Sequence, residues 1–432
     1  MTPAAATPAP GTAQASAWRG GWAQGLFYGG LGLPLAFVAL PLYVVLPNHY
    51  ATAFGIPLAT LGALLLFARL FDAVADPVIG RLADGWFTRP PAVVMTVAVV
   101  AALVLAVGFR GLFFPWVEGT TALLVWCAAL LCITYLSYSV LAVVHQAWGA
   151  RLGGDEGQRA RIVSWREGLA LVGVLVASVL PSVAGLSTTS VVFAVLLALG
   201  VVLLARAPQP ALGRVPAAPP SLAEPLRVGA FRRLIAIYLV NGVASAVPAT
   251  LVLFFISDRL QAKAWEPLFL ASYFAAGALS MPLWVRLVGR LGLARTWLVG
   301  MLLAIVAFVW AALLGEGDVV AYTLVCIASG VALGADLTLP GALLAGVVQR
   351  AGHGERLEGA YFGWWNFCTK LNLALAAGVS LPLLQAFGYE PGSRSPEALQ
   401  ALTLAYCLLP CALKLLATGL LWTLWIRKED TR

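Results

Sequence analysis

The sequence predicts an all-α integral membrane protein with twelve transmembrane helices, on three observations. Of its 432 residues, 61% are hydrophobic and only 11% are charged, and mean hydropathy is +0.90. A soluble domain is about 45–50% apolar and about 25% charged, so the chain lies far outside that class. Crossing hydrocarbon takes about 20 apolar residues per helix, and the polar breaks leave twelve such stretches, which with their connections use nearly the whole length.

In chain order, residues 1–21 are rich in Ala, Pro and Thr, with no basic n-region and no cleavage pattern. They are expected to form a disordered cytoplasmic tail, not a signal peptide. The first span, 22–46, has no charge, whereas the second, 56–84, carries Arg69, Asp72, Asp76 and Asp84. The third, 91–113, and fourth, 120–148, are separated by Glu118-Gly119. The fifth and sixth, 161–184 and 187–206, precede the longest polar stretch, 207–229, which holds Pro208, Pro210, Pro216, Pro219, Pro220 and Pro225 and reads as a cytoplasmic linker. The seventh, 230–257, and eighth, 264–290, are split by Asp258, Arg259 and Lys263, and the ninth, 294–314, and tenth, 318–348, by Glu316. The eleventh, 357–386, follows Arg356, and the twelfth, 398–426, ends at Arg427-Lys428. The chain is therefore organised as a tail, a six-helix bundle over 22–206, a linker, a second bundle over 230–427, and a short cytoplasmic tail, 428–432.

Basic residues collect on the cytoplasmic side of membrane proteins. With the amino terminus inside, nineteen Lys and Arg fall on that side, against four outside (Arg110, Arg259, Lys263 and Arg394) and four within spans. Both termini are expected in the cytoplasm, in a bacterial inner membrane. The net charge of +8 follows from this asymmetry, so it gives no reason to expect a nucleic-acid partner. No soluble domain is left over for a P-loop or dinucleotide fold, and neither fingerprint occurs, so a single-chain ATP-driven pump is not expected. The six cysteines lie in apolar runs with no metal-ligand spacing and read as buried thiols. His49 and His353 fall in expected loops, leaving His145 at depth. No cofactor is expected.

The halves resemble each other weakly. Asp76-Pro77-Val78-Ile79-Gly80-Arg81-Leu82 aligns with Met281-Pro282-Leu283-Trp284-Val285-Arg286-Leu287, each closing the second helix of its half. Parallel six-helix repeats around a midplane site are the architecture of major facilitator transporters, which rock one half against the other. The repeat is chemically lopsided: Asp72, Asp76 and Asp84 align with Gly277, Met281 and Gly289, so cation chemistry belongs to the first half.

A charge at the centre of a span costs about 2.5–3.5 kcal/mol on insertion scales, so the chain's intramembrane charges are its most informative residues. Arg69, Asp72 and Asp76, at relative positions 0, 3 and 7, share one helical face. Lys370 of the eleventh helix adds a second basic group facing them. Two carboxylates one turn apart supply four oxygens, which suits sodium or another hard cation, and also a proton. The alternative is a static salt-bridge cluster. Arg166 and Glu167 lie near the start of the fifth helix, where snorkelling competes with a site role. Asp336 in the tenth helix has no obvious local partner and reads as cavity-lining, or as a helix–helix hydrogen bond, for instance to Thr338. Lys414 reads as a lone snorkelling or lipid-facing lysine. Tyr138, Ser139, Gln146, Trp148, Trp364, Trp365 and Asn366 are candidates to line a substrate path, against the alternative of interfacial anchoring for the tryptophans.

The run Arg69-Leu70-Phe71-Asp72-Ala73-Val74-Ala75-Asp76-Pro77-Val78-Ile79-Gly80 resembles the second-helix signature of the glycoside-pentoside-hexuronide cation symporters, the melibiose permease family. Arg356-Leu357-Glu358-Gly359-Ala360-Tyr361-Phe362, leading to Lys370, resembles that family's eleventh helix, and Tyr28-Gly29 and Tyr138-Ser139 extend the match. The resemblance implies a major facilitator fold that couples substrate uptake to sodium, proton or lithium. It implies Asp72 and Asp76 as cation ligands, Ser139 as a nearby hydroxyl, Lys370 as the balancing charge, and Arg166 as a substrate-holding arginine; Arg69, from its place on the same helical face, is expected to share the balancing role. The family's sugar-binding acids align with Ala36 and Ala142, and its stacking tryptophan with Gln146; sliding the fourth helix by two residues restores Trp148 but puts Val144 in place of the acid.

Cation-coupled symport of a small organic solute by alternating access is therefore expected, the solute being a sugar derivative or an anionic amphiphile. Arg166, Tyr138, Gln146, Asp336, Trp365 and Asn366 are its expected contacts. Two rival readings are an uncoupled uniporter or lysophospholipid flippase, and a magnesium-dependent membrane transferase using Asp72 and Asp76. The expected partners are the substrate and the bilayer, with the protein acting as a monomer.

Overall fold

The computed structural model describes residues 18–213, 221–390 and 392–430. All regular structure among them is helical, and ten helices are long and apolar enough to cross a membrane. One of these, Glu156–Ala205, is two spans, because Gly185 breaks its axis at φ 76° and ψ 168°. With the 30-residue helix Leu58–Phe87, the spans number twelve. They are α1 (Trp22–Phe54), α2 (Leu58–Phe87), α3 (Pro91–Phe113), α4 (Thr120–Ala150), α5 (156–184), α6 (186–205), α7 (Gly229–Arg259), α8 (Lys263–Leu291), α9 (Leu293–Ala311), α10 (Val319–Arg350), α11 (Glu358–Ala386) and α12 (Pro396–Ile426).

Two boundaries differ from the sequence reading for local reasons. α1 continues past residue 46 because a π-helical turn over Pro41–Val45 absorbs Pro41 without ending the helix. Gly55, at φ 65°, then stops it, with its amide closing on the Tyr50 carbonyl. His49 is thus helical and not in a loop, its Nε2 lying 3.0 Å from the Phe113 carbonyl oxygen. α5 starts at Glu156 and not 161 because Asp155 and Gln158 form a reciprocal cap: Gln158 N donates to Asp155 Oδ1 at 2.8 Å and Asp155 N to Gln158 Oε1 at 3.1 Å.

α2 shows how the sequence sorts lipid from core. Phe67, Leu70, Phe71, Val74 and Val78 are exposed on one stripe, while Ala68, Asp72, Asp76, Ile79 and Ala83 are buried on the other. Hydrocarbon is as apolar as leucine, so tight association must come from packing and small residues. Phe193 supplies bulk among the first six helices, its ring centroid 4.6 Å from Phe109 and 5.7 Å from Phe37.

The two sets of six helices meet along α2 against α11 and α5 against α8, and glycine makes both approaches possible. A Cβ on Gly80 would overlap the Gly359 carbonyl oxygen, one on Gly359 the Gly80 carbonyl oxygen, and one on Gly363 the Asp76 carbonyl oxygen. Overpacking a tight contact costs about 1–3 kcal/mol. Gly80→Ala is therefore expected to loosen this crossing and speed alkylation of a cysteine placed at Ala142 by a reagent added on the Asp84 side.

Residues 207–213 of the proline-rich stretch lie on the first six helices, with Gly213 N donating to the Phe87 carbonyl at 2.8 Å. Trp148 Nε1 donates to the Pro208 carbonyl at 2.9 Å, and Trp364 Nε1 to the Leu222 carbonyl at 3.0 Å. Both tryptophans, read as candidates for a substrate path, hold this connection instead. Residues 214–220 of the connection, 1–17 of the expected tail and 431–432 lie outside the described residues.

Candidate functional site

Asp72 and Asp76 point inward from adjacent turns of α2, 2% and 0% exposed. Lys370 of α11 reaches between them, its Nζ 2.6 Å from Asp72 Oδ2 and 2.7 Å from Asp76 Oδ2. Ser139 of α4 completes the cluster, donating to Asp72 Oδ1 at 2.7 Å and accepting from Lys370 Nζ at 2.9 Å. Asp76 is held by its ion pair with Lys370. Arg69 does not share in this balance. Its guanidinium lies over the Tyr43 ring of α1, 4.4 Å from the centroid, which leaves two carboxylates to one lysine.

Beside the cluster lies a cavity of about 360 Å³. Tyr138, Ser139, Gln146, Arg166, Asp336, Trp365, Asn366 and Lys370 all border it, so the structure brings together most of the sequence-derived set. Ala36, Ala142 and Gln146 border it too, so methyl groups form part of its wall. Arg166 is not free, since its Nε and Nη2 donate to Glu167 Oε1 at 2.9 and 2.6 Å. Trp365 is held flat against Tyr238 with ring centroids 3.7 Å apart, and Tyr238 Oη meets Thr369 Oγ1 at 2.7 Å. His145, missed as a cavity residue, stands on the same wall with its Nε2 2.7 Å from the Tyr28 carbonyl oxygen.

Lys414 corrects the sequence reading. It is buried and not lipid-facing, and its Nζ lies 2.6 Å from Asp336 Oδ2 and donates to Asn241 Oδ1 at 2.8 Å. Asp336 also accepts from Asn241 Nδ2 at 3.1 Å, Trp297 Nε1 at 2.9 Å and Ser245 Oγ at 3.3 Å. The partner missing for Asp336 and the reason Lys414 tolerates the membrane are the same ion pair. Asn241 and Ser245, one turn apart on α7, were the available signal.

At one end the halves are locked by acids of the first reaching helix starts of the second. Asp84 accepts from Gly359 N at 2.7 Å and Ala360 N at 2.9 Å, at the start of α11. Glu156 accepts from Leu293 N at 2.9 Å, at the start of α9. Unpaired amides and the helix dipole both favour a carboxylate there. Arg151, with a fully buried side chain, joins Asp84 Oδ1 at 3.2 Å to Glu358 Oε2 at 2.8 Å and lies over the Phe87 ring. In the nearby loop, burial pushes His353 below its ordinary pKa, so its neutral Nδ1 can accept from Tyr361 Oη, 2.8 Å away.

Among the described residues no group of three or more His, Cys, Asp or Glu side chains is placed to hold a metal ion, so a cation at α2 would draw on two carboxylates and the Ser139 hydroxyl. The cluster lies next to a cavity between the two sets of helices, and comparison with known proteins gives the family. The model of the MFS/sugar transport protein family matches residues 26–428. The chain belongs to this family. The glucuronide carrier protein homolog of Escherichia coli (strain K12) is 26% identical over 405 residues, 87% of this chain and 86% of that protein. The inner membrane symporter YicJ of the same organism is 31% identical over 137 residues, 30% of this chain and 28% of its own.

Solved structures share the fold. A bacterial homologue of the iron transporter ferroportin, outward-facing, superposes with a TM-score of 0.70 at 17% identity, covering 95% of this chain and 99% of that one. The major facilitator transporter FucP, in the outward conformation, gives 0.65 at 14%, covering 91% and 98%. This protein is a multi-pass membrane transporter of the melibiose-permease-like branch, as its motifs imply, and not an enzyme; the transferase reading falls.

Proposed function

We propose that this protein is a cation-coupled symporter of a glycosidic or anionic sugar derivative bearing an apolar substituent, working by alternating access. The observation that carries the coupling is the charge count at α2: with both acids ionised, Asp72 and Asp76 against Lys370 leave one negative charge in excess. A proton or sodium ion would cancel it, with Asp72 and Asp76 as its ligands. The incoming cation would weaken the hold of Asp72 and Asp76 on Lys370. The state in which Lys370, Asn366 and Thr369 of α11 can turn to a solute would then be favoured.

The solute's polar head fits the 360 Å³ cavity, where Gln146, Asn366, Tyr138 and the Arg166–Glu167 pair supply donors and acceptors. A carboxylate on the solute would exchange with Glu167 for the Arg166 fork, since guanidinium binds carboxylates with paired hydrogen bonds. With Ala36 and Ala142 at the wall, a neutral disaccharide has few acceptors to meet. The Asp84 end would face the cytoplasm of an inner-membrane protein acting as a monomer, so that the state described is open outward.

The test is uptake into reconstituted vesicles under imposed sodium, proton and voltage gradients, with glucuronides, sugar acids, melibiose and lysolipids compared. Asp76→Asn is expected to lose accumulation while keeping solute exchange. Intact gradient-driven accumulation in that variant sinks the coupling, and saturable melibiose uptake with indifference to anions sinks the substrate class. The apolar space among the last six helices is what favours an amphiphile over a simple sugar.

A further inference from the structure

Among the last six helices lies a second cavity of about 450 Å³, with Tyr238, Asp336, Leu337, Thr369 and Leu373 bordering both it and the first. Its walls are mostly aromatic and aliphatic, with Phe269, Tyr273, Phe274 and Phe308 among them. Two features separate it from a lipid-filled gap. Lys414, at its edge, uses Asp336 and Asn241 as acceptors, and an ammonium has three donors, so one remains for a ligand. Asn372, also at its edge and 4% exposed, has an Oδ1 that accepts nothing. Gly242 makes room for that amide, because a Cβ there would overlap Asn372 Nδ2. A buried acceptor left unpaired carries a desolvation cost that a ligand donor would remove.

We infer that this cavity is a second binding subsite, which takes a flat apolar ring bearing a hydrogen-bonding terminus, with the ring among the aromatic walls and the terminus at Lys414 or Asn372. In the solute this ring is the aglycone, attached to the polar head that the first cavity holds. This assignment of the aglycone rests on the proposed function; the subsite itself does not.

Calorimetric binding to the purified full chain separates the two. The ligands are 2-naphthol, D-glucuronate and 2-naphthyl β-D-glucuronide, tested on the wild type and Ala249→Trp. Ala249 lines the cavity and is exposed, so the substitution adds bulk without disturbing packed core. A single methylene in a hydrophobic pocket is worth about 10–200-fold. The naphthyl glucuronide is therefore expected to bind at least about 100-fold more tightly than glucuronate, falling to under about 10-fold in Ala249→Trp, and 2-naphthol to bind the wild type alone. Phe308→Ala should weaken both naphthyl ligands and leave glucuronate unchanged. Equal binding of 2-naphthol by wild type and Ala249→Trp, or no binding to either, overturns the subsite. Binding of 2-naphthol without any binding of glucuronate or its naphthyl glycoside overturns the sugar-derivative reading and leaves the subsite standing.

Discussion

Lys370→Met is expected to abolish gradient-driven uptake and to destabilise the protein by about 3 kcal/mol, near the lower end of what breaking a buried ion pair costs. The size follows from the geometry: one ammonium lies within 2.7 Å of both Asp72 and Asp76, so its removal strands two acids that are almost wholly buried. Ser139 cannot compensate, because its single hydroxyl proton already goes to Asp72. Arg69 is held over Tyr43. Thermal unfolding in detergent checks the stability, and uptake in vesicles the function. The informative variant is Lys370→Met combined with Asp72→Asn and Asp76→Asn. With no stranded charge left, it should recover most of the stability but none of the uptake. A single variant as stable as wild type would show that water, not Lys370, solvates the acids.

The α2 cluster was legible in the sequence because it breaks composition: two acids in an apolar helix stand out, and their four-residue spacing alone puts them on one face. Lys370 was legible for the same reason. The Asp336–Lys414 pair was not. A helical wheel shows that a lysine lies within a span but not which helix it faces, and the two residues are 78 positions apart, with Asn241 173 from Lys414. The balance between Arg69 and Lys370 was misjudged on related grounds. Spacing placed Arg69 on the face of Asp72, but the ring that draws it away belongs to α1. The tryptophans of α4 and α11 were equally ambiguous. Trp365 lines the cavity, whereas Trp364, one residue earlier, points the other way to the Leu222 carbonyl.

The lopsided repeat also takes on a physical meaning. In the first half, α2 carries acids that meet α11; in the second, the equivalent α8 carries Gly277 and Met281 and meets α5 through small and apolar groups, with Leu171 against Gly277 and the Met281 sulfur against Gly168. One crossing holds charge and the other holds only shape. The charged one ends in Asp84.

Asp84→Ala combined with Glu156→Ala is expected to shift the protein from the state described here toward one open at the Asp84 end, by at least about 1,000-fold in population. Each acid bridges the halves by hydrogen bonds from backbone amides at a helix start, Asp84 with two and Glu156 with one. Charged hydrogen bonds contribute about 1.5–3 kcal/mol each when removed from a folded protein. These bonds exist only while the halves meet, so their loss penalises the closed end specifically and leaves each six-helix set intact. Asp84 should dominate, since removing it also leaves the buried Arg151 with Glu358 as its remaining acid. Pulsed distance measurements between spin labels at Arg89 and Arg290, both exposed at the ends of α2 and α8, read the separation directly. Single variants should give intermediate shifts, larger for Asp84→Ala than for Glu156→Ala. An unchanged distance distribution in the double variant would mean that the Gly80–Gly359 packing alone holds this end shut, and Gly80→Ala would then be the substitution that opens it.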